Sequence, residues 1–428
     1  MDSILYEDNP HWTEKNVYDA FVPMEILAQA VSYLEARQVI ALIGARRVGK
    51  STIAKLMIKE LLKNKEAKNI FFINLEKPEF IPYKHDAGYL SKIFDAYLKL
   101  ADPDRDEKIY FFIDEIQIFE NWEVFIKSKY ENSHIKFIIT GSNSSLLTSN
   151  YATVLTGRVL KLQVHTFSFT EFLTYRKVPF STPLERTAHK IEIARMKDEY
   201  LKWGGYYDVI SIDDEKIKKE TVKNIAEDII LKDIVPRYSI KNSEEIRDLF
   251  YYIVSNAATV LNYSRLARKI NIDAKSIKEY IAYFEDNFLV TTIQNYHTKL
   301  TEQIKSAKKL YLNDNGFLNL GVNRSLNNGT RLENWVFTVL YQKSEELTYL
   351  KAAKEIDFYS ENVLYQITYN MEDEQTKKRE TEAFQSFDGL SKKYCLITFD
   401  TKQEMEGIDS RTIDEFIFNG GSCALQNE

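Results

Sequence analysis

The first part of the chain alternates short apolar runs with segments of helical periodicity. The apolar runs are VIALI, NIFFINLE, IYFFIDE and IKFIITG, at residues 39–43, 69–76, 109–115 and 135–141. Between the first two lies IAKLMIKELL, whose apolar residues recur at the spacing of a helix. Apolar runs separated by helices are typical of strands that are buried on both faces of a parallel sheet. The pattern therefore predicts an α/β domain with a parallel sheet.

After residue 176 the pattern changes to longer amphipathic segments with few glycines. Residues 220–289 read as consecutive helices, and a further change follows Asn315 and Gly316. There a helix around LENWVFTVLY leads into the strand-like runs EIDFY, VLYQITY and KYCLITF. These changes predict domain boundaries near residues 205 and 315.

The composition excludes several classes of protein. A net charge of −6 means that the chain is not basic overall, so nucleic acid would have to bind to a local patch. The six histidines are scattered, and Cys395 and Cys423 lack metal-ligand spacing. This predicts no metal cluster, no disulfide framework and a reducing compartment. Since no apolar run approaches the ~18 residues of a membrane span, we expect a soluble cytoplasmic protein with no membrane partner.

Between the first strand and the first helix, the sequence GARRVGKST fits the phosphate-loop pattern G-x-x-x-x-G-K-[ST] in full. Glycines let such a loop curl so that its N–H groups and the N-terminus of the helix face phosphate. Lys50 is expected to reach the β- and γ-phosphates and Ser51 to ligate Mg²⁺, so the loop predicts ATP and Mg²⁺ as ligands. The residues expected to bind the nucleotide are Gly44, Ala45, Arg46, Arg47, Val48, Gly49, Lys50, Ser51 and Thr52.

The run IYFFIDE supplies the acids that a hydrolase of this kind needs. Its five apolar residues predict a buried strand that carries Asp114 towards Mg²⁺, while Glu115 is placed to polarise an attacking water. Two acids after a strand are also common as solvated surface residues, but the phosphate loop upstream favours the catalytic interpretation. The pair predicts hydrolysis by water, with Glu115 and Lys50 as catalytic groups.

Polar residues also follow the next apolar run. Ser142 and Asn143, in ITGSN, could sense the γ-phosphate, or they could cap a helix. Arg158 and Arg237 are candidates for a catalytic arginine that stabilises transition-state charge across a subunit boundary, and each is equally open to interpretation as a surface residue. Such a role in trans would require a homo-oligomer.

Residues 264–290 have apolar positions spaced as in a helix, a turn and a second helix. Ser264 and Asp273 are expected to cap the two helices, and the runs VTTIQNY and KKLYLND to form a two-stranded wing. From Leu261 to Tyr311 there are nine Lys or Arg against five Asp or Glu. This local excess leaves open DNA contact through the second helix and a structural or oligomer-contact role. The residues expected to face DNA are Lys275, Ser276 and Lys278, with Glu279 beside them.

Taken in order, these motifs resemble the prokaryotic AAA-type ATPases that carry a C-terminal domain of unknown function. The resemblance covers nearly the whole chain, through GARRVGKS, FFIDEIQ, ITGSN, LTGR, FSFTEF, LKWGGYYDV, DIVPRYSI, LYLNDNGF, LENWVF and EIDF. It implies a P-loop ATPase domain over residues 1–205 and a helical linker with a winged helix over residues 206–314. It further implies a small α/β domain similar to PD-(D/E)XK nucleases over residues 315–428.

In active nucleases of that kind, three acids and a lysine hold Mg²⁺ and activate water. The resemblance assigns the corresponding positions to Glu333, Asp357, Gln366 and Thr368. The third and fourth residues are departures, because glutamine is a poor cation ligand and threonine cannot replace an ammonium group. Lys351 or Lys354 could compensate from a neighbouring position. We therefore expect a catalytically degenerate nuclease-like site that serves as a binding scaffold.

Together, the motifs and the resemblance predict an ATP-hydrolysing AAA-type protein that associates with DNA through its winged helix and its nuclease-like domain. Two alternatives remain open. The first is a nucleotide-gated switch that binds a protein partner through the C-terminal domain and does not bind DNA. The second is an ATP-dependent nuclease.

Overall fold

A computed structural model describes residues 1–86, 88–131, 134–144, 157–321, 327–344, 346–371 and 374–423. The chain divides into two compact units, residues 1–165 and residues 166–428. Among the helices of the described residues, none combines the length and the apolar character that a membrane crossing requires.

The first unit is a parallel sheet with helices around it. Its α-helices are α1 Asp2–Asp8, α2 Ile26–Ser32, α3 Lys50–Leu61, α4 Tyr89–Ala101 and α5 Trp122–Tyr130. Its strands are β1 Val39–Ile43, β2 Ile70–Asn74, β3 Ile109–Asp114, β4 Ile135–Gly141 and β5 Val159–Gln163. The strands are parallel, in the order β2-β3-β4-β1-β5. The predicted α/β class is thus confirmed.

The four apolar runs of the sequence are strands β1 to β4, and nearly all of their residues are buried. Strand β5 was not predicted. Its sequence VLKLQ is short and includes the exposed Lys161, because this strand lies at the edge of the sheet. Burial on both faces produces a continuous apolar run, and an edge strand has no need of one.

The opposite edge of the sheet, β2, is covered by the chain that precedes it. The side chain of Asn9 accepts from Phe72 N at 2.6 Å and donates to Phe72 O at 2.8 Å, as a neighbouring strand would. Asp8 accepts from Asn74 N at 3.0 Å, and Trp12 donates to Ile70 O at 2.9 Å. These side chains satisfy main-chain groups that an exposed edge would leave unpaired.

The second unit contains helices and two sheets. Its α-helices are α6 Phe169–Tyr175, α7 Pro183–Ala188, α8 Lys190–Trp203, α9 Tyr207–Ile210, α10 Glu215–Asp228, α11 Val235–Arg237, α12 Ser243–Val254, α13 Tyr263–Ile270, α14 Ala274–Asp286, α15 Leu300–Lys305, α16 Asn328–Tyr341, α17 Glu374–Gln385 and α18 Ile413–Phe418. Between α10 and α11 lies a π-helical segment, Ile229–Ile234, and a 3₁₀ segment spans Asn315–Leu320.

The strands of the second unit are β6 Thr259–Val260, β7 Val290–Gln294, β8 Lys308–Leu312, β9 Thr348–Lys351, β10 Glu355–Ser360, β11 Val363–Thr368, β12 Tyr394–Thr398 and β13 Ile408–Thr412. A three-stranded antiparallel sheet has the order β6-β8-β7, and a five-stranded sheet has the order β13-β12-β11-β10-β9. In the second sheet, β9, β10 and β11 are antiparallel, whereas β11, β12 and β13 are parallel. The strand-like runs predicted after residue 315 are β10, β11 and β12.

Main-chain and side-chain hydrogen bonds join the two sheets of the second unit. Just beyond β7, Asn295 forms a parallel bridge with Tyr349 of β9, and Tyr296 N donates to Tyr349 O at 2.8 Å. The Tyr349 hydroxyl donates to Ala307 O, immediately before β8, at 2.8 Å. The segment from β7 to β8 is therefore connected to the edge of the five-stranded sheet.

A buried carboxylate, Asp314, connects distant parts of the second unit. It accepts hydrogen bonds from Thr166 Oγ1 and Gly205 N, both at 2.8 Å, and from Gly316 N at 2.7 Å. Burial raises the pKa of Asp314 to about 6, although these donors lower it. A Cβ atom on Gly204, whose φ is +69°, would lie 2.0 Å from Asp314 Oδ1, so only glycine fits there.

These contacts explain why residues 166–205 belong to the second compact unit. The sequence predicted a boundary near residue 205, whereas the compact units divide after residue 165. Helix α8 packs against the 3₁₀ segment Asn315–Leu320, which also places residues on both sides of 315 in the same unit. The division into three domains at residues 205 and 315 therefore stays a prediction.

The prediction that the cysteines form no disulfide is wrong. Cys395 of β12 and Cys423 form a disulfide, with their Cα atoms 6.2 Å apart. Strand β13 and helix α18 return the chain to β12, and this brings together two cysteines that are 28 residues apart in the sequence. Spacing along the sequence could not reveal this proximity.

Candidate functional site

The loop between β1 and α3 has the backbone geometry of a phosphate-binding loop. Gly44 has a φ of +157°, and a Cβ atom there would lie 2.3 Å from Val164 O. Gly49 has a φ of +97° and immediately precedes the first residue of α3. Both positions require glycine, and the N-terminus of a twelve-residue helix faces the loop. The predicted anion-binding turn is present in the backbone.

Lys50 is the first residue of α3, and its side chain is buried. Its ammonium group donates to two carbonyls of its own loop, Gly44 O at 3.1 Å and Ala45 O at 2.9 Å. Glu115 Oε1 lies 3.6 Å from the same nitrogen. The lysine is thus held above the loop by neutral carbonyls and one carboxylate.

Asp114, at the carboxyl end of β3, is held in place by two hydroxyl groups. Ser51 Oγ donates to Asp114 Oδ2 at 2.7 Å, and Thr140 Oγ1 donates to Asp114 Oδ1 at 2.6 Å. Burial raises the pKa of Asp114, and the charge of Glu115 adds to this increase. The Asp114 carboxylate and the Ser51 hydroxyl are hard oxygen donors, which suit Mg²⁺ bound together with substrate phosphates.

Glu115 has a left-handed backbone, with a φ of +52°, which turns its side chain away from the direction of β3. Its main-chain N–H donates to Thr140 Oγ1 at 3.0 Å, and Gln117 Nε2 donates to its carboxylate. The same Gln117 Nε2 donates to Ser142 Oγ at 3.2 Å. Burial alone would raise the pKa of Glu115, but the charge of Lys50 and the bond from Gln117 lower it. The net lowering of the pKa favours the ionised form of Glu115.

Other residues that the sequence predicted for the nucleotide site lie at different distances from the phosphate loop. Arg46 pairs with Glu76 at 2.9 Å, and Asn143 is fully buried. Arg158 immediately precedes β5, where its guanidinium lies 3.4 Å from Glu131 and 5.1 Å from the ring centre of Tyr130. Gly44, by contrast, follows β1, the strand that pairs with β5 over five residues. A strand of that length separates the two ends of the sheet by about 16 Å.

The predicted DNA-facing residues are on α14. Lys275 and Lys278 are exposed, and Lys275 lies 3.8 Å from Glu279. Ser276 donates its hydroxyl to Asp273, whose carboxylate also accepts from Lys275 N at 2.9 Å and Ser276 N at 3.0 Å. Asp273 thus caps the helix as predicted, and Ser276 is engaged within the cap.

The predicted cap of the preceding helix is wrong. Helix α13 begins at Tyr263, and the capping side chain is that of Asn262, which accepts from Arg265 N at 2.9 Å. Ser264 lies inside the first turn. Asparagine and serine are both good capping residues, so composition alone did not separate them. The predicted strands after α14 do pair, as β7 and β8.

The nuclease-like residues are brought together only in part. Glu333 of α16 and Asp357 of β10 both lie close to a single ammonium group, that of Lys309 on β8. Gln366 accepts weakly from Asp357 N, at 3.4 Å, and Thr368 donates to the carbonyl of Asn370 at 3.1 Å. Neither residue replaces the missing acid or lysine.

The two lysines proposed to compensate do not do so. Lys351 pairs with Glu355 at 2.7 Å, and Lys354 pairs with Glu382 at 2.9 Å. The lysine that does reach the acids, Lys309, was not considered from the sequence. It is almost completely buried and lies 2.7 Å from Glu333, 2.9 Å from Glu355 and 3.5 Å from Asp357.

The electrostatics of this cluster differ from those of the phosphate loop. Burial and the charge of Glu333 raise the pKa of Asp357 to about 8, despite the charge of Lys309. Burial would lower the pKa of Lys309, but Tyr311 and the three carboxylates raise it well above its ordinary value. The acids border a cavity of about 820 Å³ that Arg379 and Thr330 also line.

Parallel strands in this order, with the loop lysine, a serine and two acids at their carboxyl ends, define an AAA-type P-loop ATPase domain. Residues 36–173 match the family described as an AAA domain, and residues 195–326 match a domain of unknown function (DUF8612). The second match begins within α8, includes β8 and the 3₁₀ segment after it, and ends before the five-stranded sheet.

An uncharacterized protein of Methanocaldococcus jannaschii, MJ1544, is 33% identical over 392 residues, which cover 87% of this chain and 83% of that protein. An uncharacterized protein of Haemophilus influenzae is 27% identical over 351 residues, covering 79% and 84%. The chain belongs to the same family as the Methanocaldococcus protein, and its residues 36–173 form an AAA-type P-loop ATPase domain.

The matches among solved structures are distant. The Aeropyrum pernix ORC1 protein, solved in complex with DNA, is 10% identical, with a TM-score of 0.32 over 71% of this chain and 93% of that one.

Proposed function

We propose that this protein is a Mg²⁺-dependent ATP hydrolase whose activity responds to DNA. The observation that carries the hydrolase part is the convergence of Lys50, Ser51, Asp114 and Glu115 within direct hydrogen-bonding or ion-pairing contact. Each has the chemistry that phosphoryl transfer to water requires.

Each residue of the site has a distinct role in this proposal. The N–H groups of the loop and of the first turn of α3 bind the phosphates, and Lys50 leaves the loop carbonyls to contact them. Glu115 orients the attacking water and accepts its proton, and its lowered pKa keeps it in the basic form. Thr140 fixes both acids, since it donates to Asp114 and accepts from Glu115 N.

Mg²⁺ would be held by Ser51 and Asp114, where it would neutralise charge on the phosphate oxygens. The donor set fits this ion, because Mg²⁺ takes one or two protein oxygens and completes its shell with water and phosphate. A cluster of three acids is therefore not required.

Arg158 supports a role in trans rather than on its own nucleotide. It lies at the amino end of β5, whereas the loop lies at the carboxyl ends of the strands. A catalytic function of Arg158 would therefore act on the site of a neighbouring copy, in a homo-oligomer. Arg37 belongs to the same surface, because its guanidinium lies 5.2 Å from the ring centre of Tyr130, which Arg158 also contacts.

The DNA part of the proposal rests on the segment from α13 to β8, which we interpret as a winged helix. Two helices joined by a short turn are followed by an antiparallel pair, and Lys275 and Lys278 project from the second helix. Helices presented in this way enter the major groove in winged-helix proteins. The local excess of positive charge, not counting the buried Lys309, supports binding in a chain that is otherwise acidic.

The test is the rate of ATP hydrolysis with single-stranded, duplex and branched DNA. We expect stimulation that is lost in the variant Lys275→Glu with Lys278→Glu. A matched control is Lys216→Glu with Lys219→Glu, which changes the same charge at the same spacing on the exposed face of α10. Stimulation lost equally in both variants would indicate a nonspecific charge effect. No stimulation by any DNA would contradict the proposal.

One observation favours a second function, a nucleotide-gated switch that binds a protein partner. The connection between β7 and β8 contains α15, whose Leu300 and Ile304 are 68% and 60% exposed. A wing that only contacts phosphate would gain nothing from such apolar residues. Flat ATPase rates with DNA, together with a partner whose binding is lost in Leu300→Asp with Ile304→Asp, would support this alternative.

A further inference from the structure

The carboxylate cluster of the nuclease-like sheet contains its own cation. Lys309 Nζ lies 2.7 Å from Glu333 Oε1, 2.9 Å from Glu355 Oε1 and 3.5 Å from Asp357 Oδ1. An ammonium group has three hydrogens, and here three carboxylates surround it. The side chain is 3% exposed, so water does not compete for these contacts.

We propose that the ammonium group of Lys309 occupies the position that a divalent metal ion takes in an active nuclease of this fold, so that this domain works without metal. The two acids that the resemblance assigns to metal binding, Glu333 and Asp357, are the ones that face the ammonium group. The lysine fulfils the same electrostatic requirement, because buried carboxylates need a positive partner.

The other contacts of the acids are also those of a closed cluster. The Tyr311 hydroxyl donates to Glu333 Oε1 at 2.7 Å, the same oxygen that faces Lys309. The main-chain N–H of Ile367 donates to Asp357 Oδ2 at 2.9 Å. Within the described part of the chain, no group of three His, Cys, Asp or Glu residues is arranged to hold a metal ion. The residues therefore do not fit the Mg²⁺ that the fold implies.

The lysine is also in the wrong place to act as a nuclease lysine. It comes from β8 of the three-stranded sheet, whereas the strand of the expected lysine carries Thr368. A catalytic ammonium would contact water or the scissile phosphate, but that of Lys309 is surrounded by acids. Its role is to join two sheets of the second unit by an internal ion cluster.

The experiment measures Mn²⁺ binding by the full chain without nucleotide, from the electron paramagnetic resonance signal of the free ion. All variants carry Asp114→Asn to remove the expected cation ligand of the phosphate loop. We expect Lys309→Met to gain one Mn²⁺ site at least ten-fold tighter than any site in the chain that keeps Lys309. Mn²⁺ should also raise the Tm of this variant alone.

Lys309→Arg is the matched control, because it keeps the positive charge, and it should gain no site. Adding Asp357→Asn to Lys309→Met should abolish the new site. If Lys309→Met fails to fold, Lys309→Met with Glu355→Gln removes one repelling acid and serves the same purpose. The proposal is overturned if the chain that keeps Lys309 binds one Mn²⁺ that Asp357→Asn removes, or if removing Lys309 creates no site in a folded variant.

Discussion

Two lysines of this protein face buried acids, and their surroundings give them opposite roles. Lys50 rests on two backbone carbonyls of the phosphate loop and lies 3.6 Å from one carboxylate, that of Glu115. Lys309 lies within 3.5 Å of three carboxylates. The first ammonium has weak, exchangeable partners, whereas the second is fully compensated by charge.

The difference shows how partners decide whether a buried lysine can bind a ligand. A phosphate can displace neutral carbonyls, because the charge–charge attraction it offers is stronger than a charge–dipole contact. It could not displace the acids around Lys309 without leaving the buried Asp357 without a cation. We therefore expect Lys50 to matter for activity and Lys309 for stability, and this expectation can be tested from both sides.

The largest effects should come from the phosphate-loop site. Lys50→Met should abolish ATP binding, since the ligand loses its main cationic contact. Glu115→Gln should keep binding but lower the turnover number on the order of 10²- to 10⁴-fold, because the amide cannot accept a proton from water. Nucleotide binding by calorimetry and steady-state ATPase rates measure the two effects. Lys59→Met, on the same helix, is a control that should change neither.

Continued turnover in Glu115→Gln would contradict the assignment of the base. A loss of folding stability in Lys50→Met as large as that in Lys309→Met would contradict the different roles of the two lysines, because Lys50 faces one carboxylate and Lys309 faces three acids.

Lys309→Met should show the reverse behaviour. Glu333 and Asp357 would lose the cation that they share, while Glu355 keeps its pair with Lys351. Removing one partner of a buried ion cluster costs up to about 3–5 kcal/mol of unfolding free energy. Equilibrium denaturation followed by circular dichroism measures this loss, and ATP affinity of the folded fraction should not change. Lys309→Arg should recover part of the stability, since it restores the charge. Unchanged stability in Lys309→Met would show that the acids are compensated in another way.

A smaller effect is expected at Gln117, which donates to Glu115 and to Ser142. Gln117→Leu removes hydrogen bonds to a charged group, worth about 1.5–3 kcal/mol, and frees the Glu115 carboxylate to rotate. We expect kcat to fall about ten-fold with KM unchanged, since the group acts by positioning the base. Recovery by Gln117→Asn is not expected, because the shorter side chain cannot reach both partners. A change in KM alone would contradict a positioning role.

The smallest effect concerns pH. Asp357 has a pKa of about 8 when folded and 3.8 when unfolded, so the folded state binds the proton more tightly. This contribution to stability is complete below the unfolded value and is lost as pH rises through the folded value. Between pH 7 and 9 the loss should be about 1 kcal/mol. Denaturation at several pH values measures it, and Asp357→Asn should flatten the dependence. Glu115, whose pKa is lowered, should contribute no loss in this range.

The residues of the candidate phosphate-loop site could be predicted from the sequence, because each follows a strand of the same parallel sheet. Strands β1, β3 and β4 are adjacent and parallel, so the residues that follow each of them meet at one edge of the sheet. The motifs therefore predicted that the phosphate loop and Asp114 lie together, and Ser51 of the loop does contact Asp114. Gln117 lies in the run FFIDEIQ but was given no role, because the residue type alone does not show that its side chain contacts Glu115.

The carboxylate cluster could not be assembled in the same way. Lys309 precedes Glu333 and Asp357 by long stretches of chain and comes from a different sheet, so no spacing connects them. In the run KKLYLND it reads as a surface lysine of a strand. The disulfide between Cys395 and Cys423 was not predicted for the same reason, because both features depend on which residues the fold brings together.

The way in which Asn9 and its neighbours cover β2 has a consequence for how the protein behaves at high concentration. Their side chains occupy the hydrogen-bonding groups through which a second chain could extend the sheet. Removing residues 1–12 would leave the strand IFFIN with an open edge, and that sequence is apolar and uncharged. We therefore expect residues 1–12 to hinder self-association through β2. A chain that lacks these residues should precipitate before it unfolds.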